Sequence, residues 1–165
     1  MIARFALAAV LVCCSAAVAE DYKHKESGLM FTLPKGWTCK ETGDRLTIEN
    51  KDKTLACAGG VIPKENAKAI FGNIEKFVDQ LDGLDDVEIT DGPKKEKVNG
   101  LEQTWYEGTA THKGTAGEEE VEWDITIITG GKAILFFIGI GKLDDNEEAY
   151  DELFDSIRKI KGDEE

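Results

Sequence analysis

Near its end the chain contains an almost unbroken apolar segment, Ala133–Ile140, with the sequence AILFFIGI. Successive side chains of a strand point to opposite sides of a sheet, so a strand that is apolar at nearly every position is covered on both faces. The segment therefore predicts a central strand with further structure packed above and below it, as in a layered domain.

Short alternating segments separated by turn sequences predict the rest of the sheet. The dipeptide Asn99-Gly100 is the strongest local signal, since these residue types tolerate the positive φ that a two-residue hairpin turn requires. The three segments that follow Pro34 are joined by short turns and are expected to form an antiparallel meander. The predicted strands are 29–33, 37–41, 45–50, 54–62, 87–89, 101–111, 120–128 and 133–140.

Two segments have helical periodicity. The first is expected to run as one continuous helix over about 64–81, and the second as a closing helix over about 144–160. In the second, Asp145 and Glu148 have the spacing of a capping box. We therefore expect a single α+β domain over residues 20–165, an antiparallel β-sheet flanked by helices in an α/β/α sandwich.

The first nineteen residues have the pattern of a secretory signal peptide. Arg4 precedes the apolar run 5–12, and the tripeptide Ala-Val-Ala at 17–19 places cleavage after residue 19. The apolar run is too short to cross about 30 Å of hydrocarbon. We expect an exported protein, periplasmic or secreted, with no transmembrane anchor after cleavage. The sequence Leu-Val-Cys-Cys at 11–14 has the outline of a lipid-attachment box, so a lipoprotein anchored through Cys14 is the alternative.

The charge of the chain excludes one class of partner. The 165 residues include 33 acidic and 20 basic side chains, for a formal net charge of -13. Nucleic acid is not an expected partner, because proteins that follow phosphate backbones present basic surfaces. The signal peptide contains one arginine and no acid, so the negative charge belongs to the folded domain. We interpret that charge as favouring solubility rather than as marking a site.

Cleavage leaves two of the four cysteines, Cys39 and Cys57. An even pair in an oxidising compartment predicts a disulfide between them. If the middle strand of the meander lies between the two, however, their Cα atoms are roughly 9–10 Å apart, whereas a disulfide spans less than about 7 Å. The bond then requires a strand end that curls over or a different strand order. The alternative is a pair of small buried thiols.

The sequence offers little for catalysis. The mature chain has two histidines, His24 in an N-terminal segment expected to be mobile and His112 beside a turn, and it has no Gly-x-Ser-x-Gly motif. Glu122 and Asp124 are expected on one strand face about 7 Å apart. That separation suits an inverting glycoside hydrolase, and it is equally the spacing of a solvated strand face. We expect no catalytic residues and no cofactor.

Two further patterns concern binding. The acidic stretch 144–148 begins like a calcium loop, but Ala149 stands where such a loop needs glycine, so no metal site is predicted. Trp105, Tyr106 and Trp123 are candidates for lining a small ligand groove between the sheet and a helix. Aromatic residues at strand spacing are also typical of a core, and both interpretations stay open.

The segment 28–37, GLMFTLPKGW, is a strand that ends in Pro-x-Gly-Trp. It resembles the start of domains with the Mog/PsbP/DcrB-like fold, which include the PsbP subunits of photosystem II, the Ran-binding Mog proteins and many small bacterial exported proteins and lipoproteins. The likeness covers about residues 27–161, with Pro34, Gly36 and Trp37 as its sharp local marks. It implies an antiparallel sheet flanked by helices and no catalytic site shared across members. Activities differ within this family, so the fold alone transfers none of them.

These observations favour a non-catalytic exported binding or accessory protein of the bacterial envelope, with another envelope or secreted protein as its partner. The alternative is a small-ligand or divalent-cation binding module that uses the groove near Trp105 and Trp123. A hydrolase is the least favoured interpretation. The sequence makes no prediction about the oligomeric state.

Overall fold

The computed structural model describes residues 20–43, 45–78, 81, 84–114 and 117–161, so the expected signal peptide lies outside the described residues. The described helices are α1 (Ala67–Phe71), α2 (Ile74–Val78) and α3 (Glu147–Asp155), with 3₁₀ turns at Lys64–Asn66 and Asp144–Asn146. The strands are β1 (Glu20–His24), β2 (Leu29–Leu33), β3 (Thr38–Thr42), β4 (Arg45–Glu49), β5 (Leu55–Ile62), β6 (Leu84–Val98), β7 (Leu101–Gly114), β8 (Gly117–Thr129), β9 (Ile134–Gly141) and β10 (Arg158–Lys159).

The strands form two antiparallel sheets. The larger has seven strands in the order β3-β4-β5-β9-β8-β7-β6, and the smaller has three in the order β1-β2-β10. The predicted meander is confirmed as β3-β4-β5. The apolar strand β9 lies in the middle of the large sheet, paired with β5 and β8, as its sequence predicts.

Each face of the large sheet has its own apolar core, which confirms the α+β class. On one face Phe137 of β9 packs with Phe31 of the small sheet and Phe154 of α3. On the other face Phe136 packs with Phe71 of α1 and Phe77 of α2. The alternation of Phe136 and Phe137 between the two cores is the direct consequence of the two-residue period of a strand.

The hairpin turn predicted from Asn99-Gly100 is confirmed, and it joins β6 to β7. Both residues have positive φ, 51° and 77°, as the turn requires. The Asn99 side chain also donates to the carbonyls of Asp155 and Ile157, at 2.8 and 2.9 Å. The turn is thereby fixed against the end of α3.

The two predicted helices are shorter than expected. The first breaks at Asn73, whose Oδ1 accepts from the amide of Lys76 at 3.0 Å and so caps a new helix, α2. The second ends at Asp155, and Arg158 and Lys159 pair with β2 instead. The capping box is not formed either: the N-cap of α3 is Asn146, which makes no side-chain capping bond.

The structure does not contain the predicted disulfide. Cys39 and Cys57 lie opposite the same residue, Ile48, from the two sides of β4. Two strand spacings, roughly 9–10 Å, therefore separate residues that a disulfide would hold within about 7 Å. Both are free thiols. Burial raises the pKa of Cys39 to about 11 and that of Cys57 further, which favours the protonated, less nucleophilic form of both thiols at neutral pH.

Candidate functional site

A groove of about 500 Å³ lies between α3 and the strands β6, β7 and β8. Side chains of a strand point alternately to the two faces of a sheet. Those on the groove side form its floor, and they include Gln103 and Trp105 on β7 and Asp124 and Thr126 on β8. Helix α3 and the turn before it form the facing wall. The long strands β6 and β7 thus supply a floor, and the closing helix supplies one side.

The groove is strongly acidic. Among the described residues that line it, Lys94 is the one basic side chain, and its Nζ lies 2.5 Å from Oδ2 of Asp91 and 3.8 Å from Oε2 of Glu107. Lys94 is therefore already paired with acids of its own chain. The carboxylates in the lining are Glu96, Glu107, Glu122, Asp124, Asp144, Glu147, Asp151 and Asp155.

Four of these acids form one wall. Glu147, Asp151 and Asp155 follow each other on α3 at intervals of four residues, the spacing that places side chains along one stripe of a helix, and Asp144 lies in the 3₁₀ turn before it. Burial and the charges of Glu147 and Asp155 raise the pKa of Asp151. No basic residue lies in the last turn of α3, where acids oppose the helix dipole. Asp151 and Asp155 are therefore unfavourable at this end of α3, whereas Glu147 in the first turn complements the helix dipole.

The floor of the groove contains a buried hydrogen-bond network around Asp124, which is 5% exposed. Its Oδ1 accepts from the amide of Gly139 at 3.0 Å and from the hydroxyl of Tyr150, and its Oδ2 accepts from Thr126 at 3.0 Å. The thiol of Cys57 donates to the oxygen of Tyr150 at 3.3 Å. Burial raises the pKa of Asp124 to about 6, and the three donors oppose that rise.

Gly139 makes this network sterically feasible. A Cβ at this position would lie 2.2 Å from Oδ1 of Asp124 and 2.3 Å from the hydroxyl of Tyr150. The glycine in the otherwise apolar β9 therefore allows α3 to approach β8 closely enough for the tyrosine to reach the carboxylate.

The three aromatic candidates lie in different places. Trp105 is half-buried and lines the groove. Trp123 also contributes to the lining, but it is fully buried in the core shared with α1 and α2, and its indole N–H donates to the carbonyl of Thr109 at 3.0 Å. Tyr106 packs against that same core and is not part of the groove lining. The structure thus brings Trp105 and Trp123 to one site and places Tyr106 elsewhere.

The carboxylate pair Glu122 and Asp124 does lie together in the groove lining. Oε2 of Glu122 accepts from the amide of Asp144 at 3.0 Å, so it holds the start of the closing helical segment. Asp124 is held by three donors of its own chain. Both carboxylates therefore have structural partners, which is not the arrangement of a free acid and base facing a substrate.

Neither histidine lines the groove. His24 is fully buried on β1, with Nδ1 3.0 Å from Oγ of Ser27, which corrects the expectation of a mobile segment. His112 lies on β7 with Nδ1 3.8 Å from Oε1 of Glu119. Within the described ranges, no three His, Cys, Asp or Glu side chains are arranged to hold a metal ion. The helices in those ranges include none with the length and apolar character that crossing a membrane requires.

Comparison with known proteins finds structures of similar fold but no family that matches by sequence. No protein-family model matches this chain, and no curated protein matches it by sequence. A crystal structure of a protein from Bacteroides thetaiotaomicron VPI-5482 aligns with a TM-score of 0.55 and 13% identity, over 88% of this chain and 50% of the other. The present chain therefore spans half the length of that protein.

Two further solved structures are similar. LpqN, described as involved in cell envelope biogenesis of Mycobacterium tuberculosis, aligns with a TM-score of 0.48 and 12% identity, over 86% of this chain and 90% of its own. Cyanobacterial PsbP (CyanoP) from Synechocystis sp. PCC 6803 aligns with a TM-score of 0.58 and 14% identity, over 90% of this chain and 97% of its own. Nearly complete coverage of both chains in this last alignment shows that the protein has a PsbP-like α+β fold.

Proposed function

We propose that this chain is an exported, non-catalytic accessory protein of the bacterial envelope, which binds another envelope or secreted protein in the groove beside α3. The observation that carries the proposal is the groove itself, a concave site of about 500 Å³ with the half-buried Trp105 in its lining. Aromatic side chains that combine an apolar face with partial exposure are typical of binding surfaces.

Two further observations support a binding role. The carboxylates Glu122 and Asp124 are engaged by groups of their own chain, so this pair is not free to act as an acid and a base. The sequence before Glu20 has the pattern of a signal peptide, with Ala-Val-Ala at 17–19 as its cleavage signal. Both observations suit an exported accessory protein.

Site-specific crosslinking in the native envelope tests the proposal. A photo-reactive residue at position 96, which is exposed and lines the groove, is expected to capture a discrete partner. The same residue at position 68, exposed on α1 and outside the groove lining, serves as the matched control and is expected not to capture it. Binding of the purified partner must then be weakened by groove substitutions. Capture from position 68 alone would contradict the proposal.

The alternative of a small-ligand or divalent-cation module would use the carboxylates of the same groove, which are ligands that Ca²⁺ prefers. It is the less favoured, because no three of the described acidic side chains are arranged around a common point. Calcium is then expected to raise the melting temperature of the purified protein, and substitution of Asp151 by Asn is expected to abolish that rise. A calcium effect that is equal in the wild type and in this variant would place it outside the groove.

A further inference from the structure

We infer that the segment seated in the groove is an extended, basic peptide of the partner protein with Lys or Arg at alternate positions. This inference rests on the proposed function and adds the chemistry of the partner. It combines the shape of the groove with its charge, since the described residues of the lining include eight carboxylates and a single lysine, which is already paired with Asp91.

The arrangement of the helix wall points to an elongated cation. Glu147 and Asp155, at the two ends of α3, are eight residues apart, which corresponds to about 12 Å along the helix. A strand rises about 3.3 Å per residue, so about five residues of an extended peptide match that length. Its alternate side chains are about 7 Å apart, close to the rise of about 6 Å between helix positions four residues apart. Alternate basic side chains would therefore meet successive acids of the wall.

Without a bound peptide, the acidic side chains of α3 repel one another, and a bound basic peptide would reduce that repulsion. The charges of Glu147 and Asp155 raise the pKa of the intervening Asp151, and like charges four residues apart destabilise a helix. On the floor, Trp105 offers an aromatic face within the same cavity, a preferred surface for guanidinium and ammonium groups. Distribution of the acids of α3 along about 12 Å also distinguishes this site from a compact metal centre, in which ligands converge on one point.

The inference is tested with a fluorescent peptide of alternating Lys and Ser, titrated into the purified mature protein. Peptides with the lysines acetylated, and with the same lysines made contiguous, are the chemical controls. The double variant Asp151→Asn/Asp155→Asn removes two charges from the groove wall. The matched control is Glu148→Gln/Glu152→Gln, which removes two charges at the same spacing from exposed positions of the same helix outside the lining.

We expect the groove variant to weaken binding at least tenfold and the control variant less than twofold, with acetylated peptide not binding. Equal weakening by both variants would overturn the inference, because it would indicate attraction to overall charge only. Binding of spermine or contiguous lysines as tight as that of the alternating peptide would also overturn it. If position 96 captures a partner whose captured segment is not basic, this inference fails while the proposed function stands.

Discussion

The hydroxyl of Tyr150, on α3, donates a hydrogen bond to Oδ1 of Asp124, on β8. Both residues are nearly excluded from solvent, at 9% and 5% exposure, and both line the groove. The bond therefore joins the helix that forms the wall to the strand that forms the floor. The geometry of the proposed binding site depends on this contact, and its energetics can be measured without knowing the partner.

Stability is expected to fall as the pH rises through the pKa of Asp124. Burial raises that pKa from 3.8 to about 6, so the folded state binds the proton more tightly than the unfolded state. The contribution is complete below about pH 4 and is lost above pH 6, a change of about 3 kcal/mol for two pKa units. Urea unfolding of the wild type and of Asp124→Asn between pH 4 and 7.5 measures it. A difference between the two that does not vary with pH would contradict this expectation.

Substitution of Tyr150 by Phe is expected to destabilise the protein by about 1–3 kcal/mol, because it removes a donor from the buried Asp124 and an acceptor from the buried Cys57. The loss should be larger at pH 7.5 than at pH 4.5, since an ionised carboxylate loses more when a donor is removed. Chemical unfolding at the two pH values checks both statements. A Tyr150→Phe protein as stable as the wild type would show that the hydroxyl contributes nothing to this contact.

The two cysteine thiols are expected to differ in their accessibility to an alkylating reagent. Cys39 is half-buried and Cys57 is fully buried, with β4 between them. An alkylating reagent should modify Cys39 slowly in the folded protein and Cys57 only after unfolding. Mass spectrometry of the exported protein without reduction is expected to show both thiols alkylated after unfolding. A mass lower by two hydrogens, with no alkylation, would show that the disulfide forms.

The mature protein is expected to begin at Glu20. The tripeptide Ala-Val-Ala at 17–19 predicts cleavage at that point. Glu20 itself pairs with Leu33 of β2. N-terminal sequencing or intact mass of the protein recovered from the envelope fraction determines the site. A lipid-modified N-terminal Cys14 would instead establish the lipoprotein alternative.

Most strands could be predicted because their signals are local. The apolar run of β9 and the Asn99-Gly100 turn each encode their structure within a few residues, and both are confirmed. β10 could not be predicted in this way. Its pairing of Arg158 with Met30 depends on residues far apart in the chain, while Ile157 and Ile160 also fit the apolar stripe of a continuing helix.

The groove could be predicted from the sequence only in part. The spacing of Glu147, Asp151 and Asp155 is visible in the sequence and could have predicted one acidic helix face. What the sequence does not contain is the strand order that places this face opposite Trp105. For that reason the negative charge was interpreted as serving solubility, although eight of the acids line one groove.

Binding of a basic peptide in the groove beside α3 is tested most directly by the nitrogen-15 spectrum of the protein during titration with the alternating Lys-Ser peptide. We predict saturable shifts of the Trp105 indole resonance and of backbone amides along β7 and α3, with amides of α1 and α2 on the opposite face unchanged. Shifts confined to the α1 and α2 face, or no saturable shift of Trp105 at any peptide concentration, would contradict it.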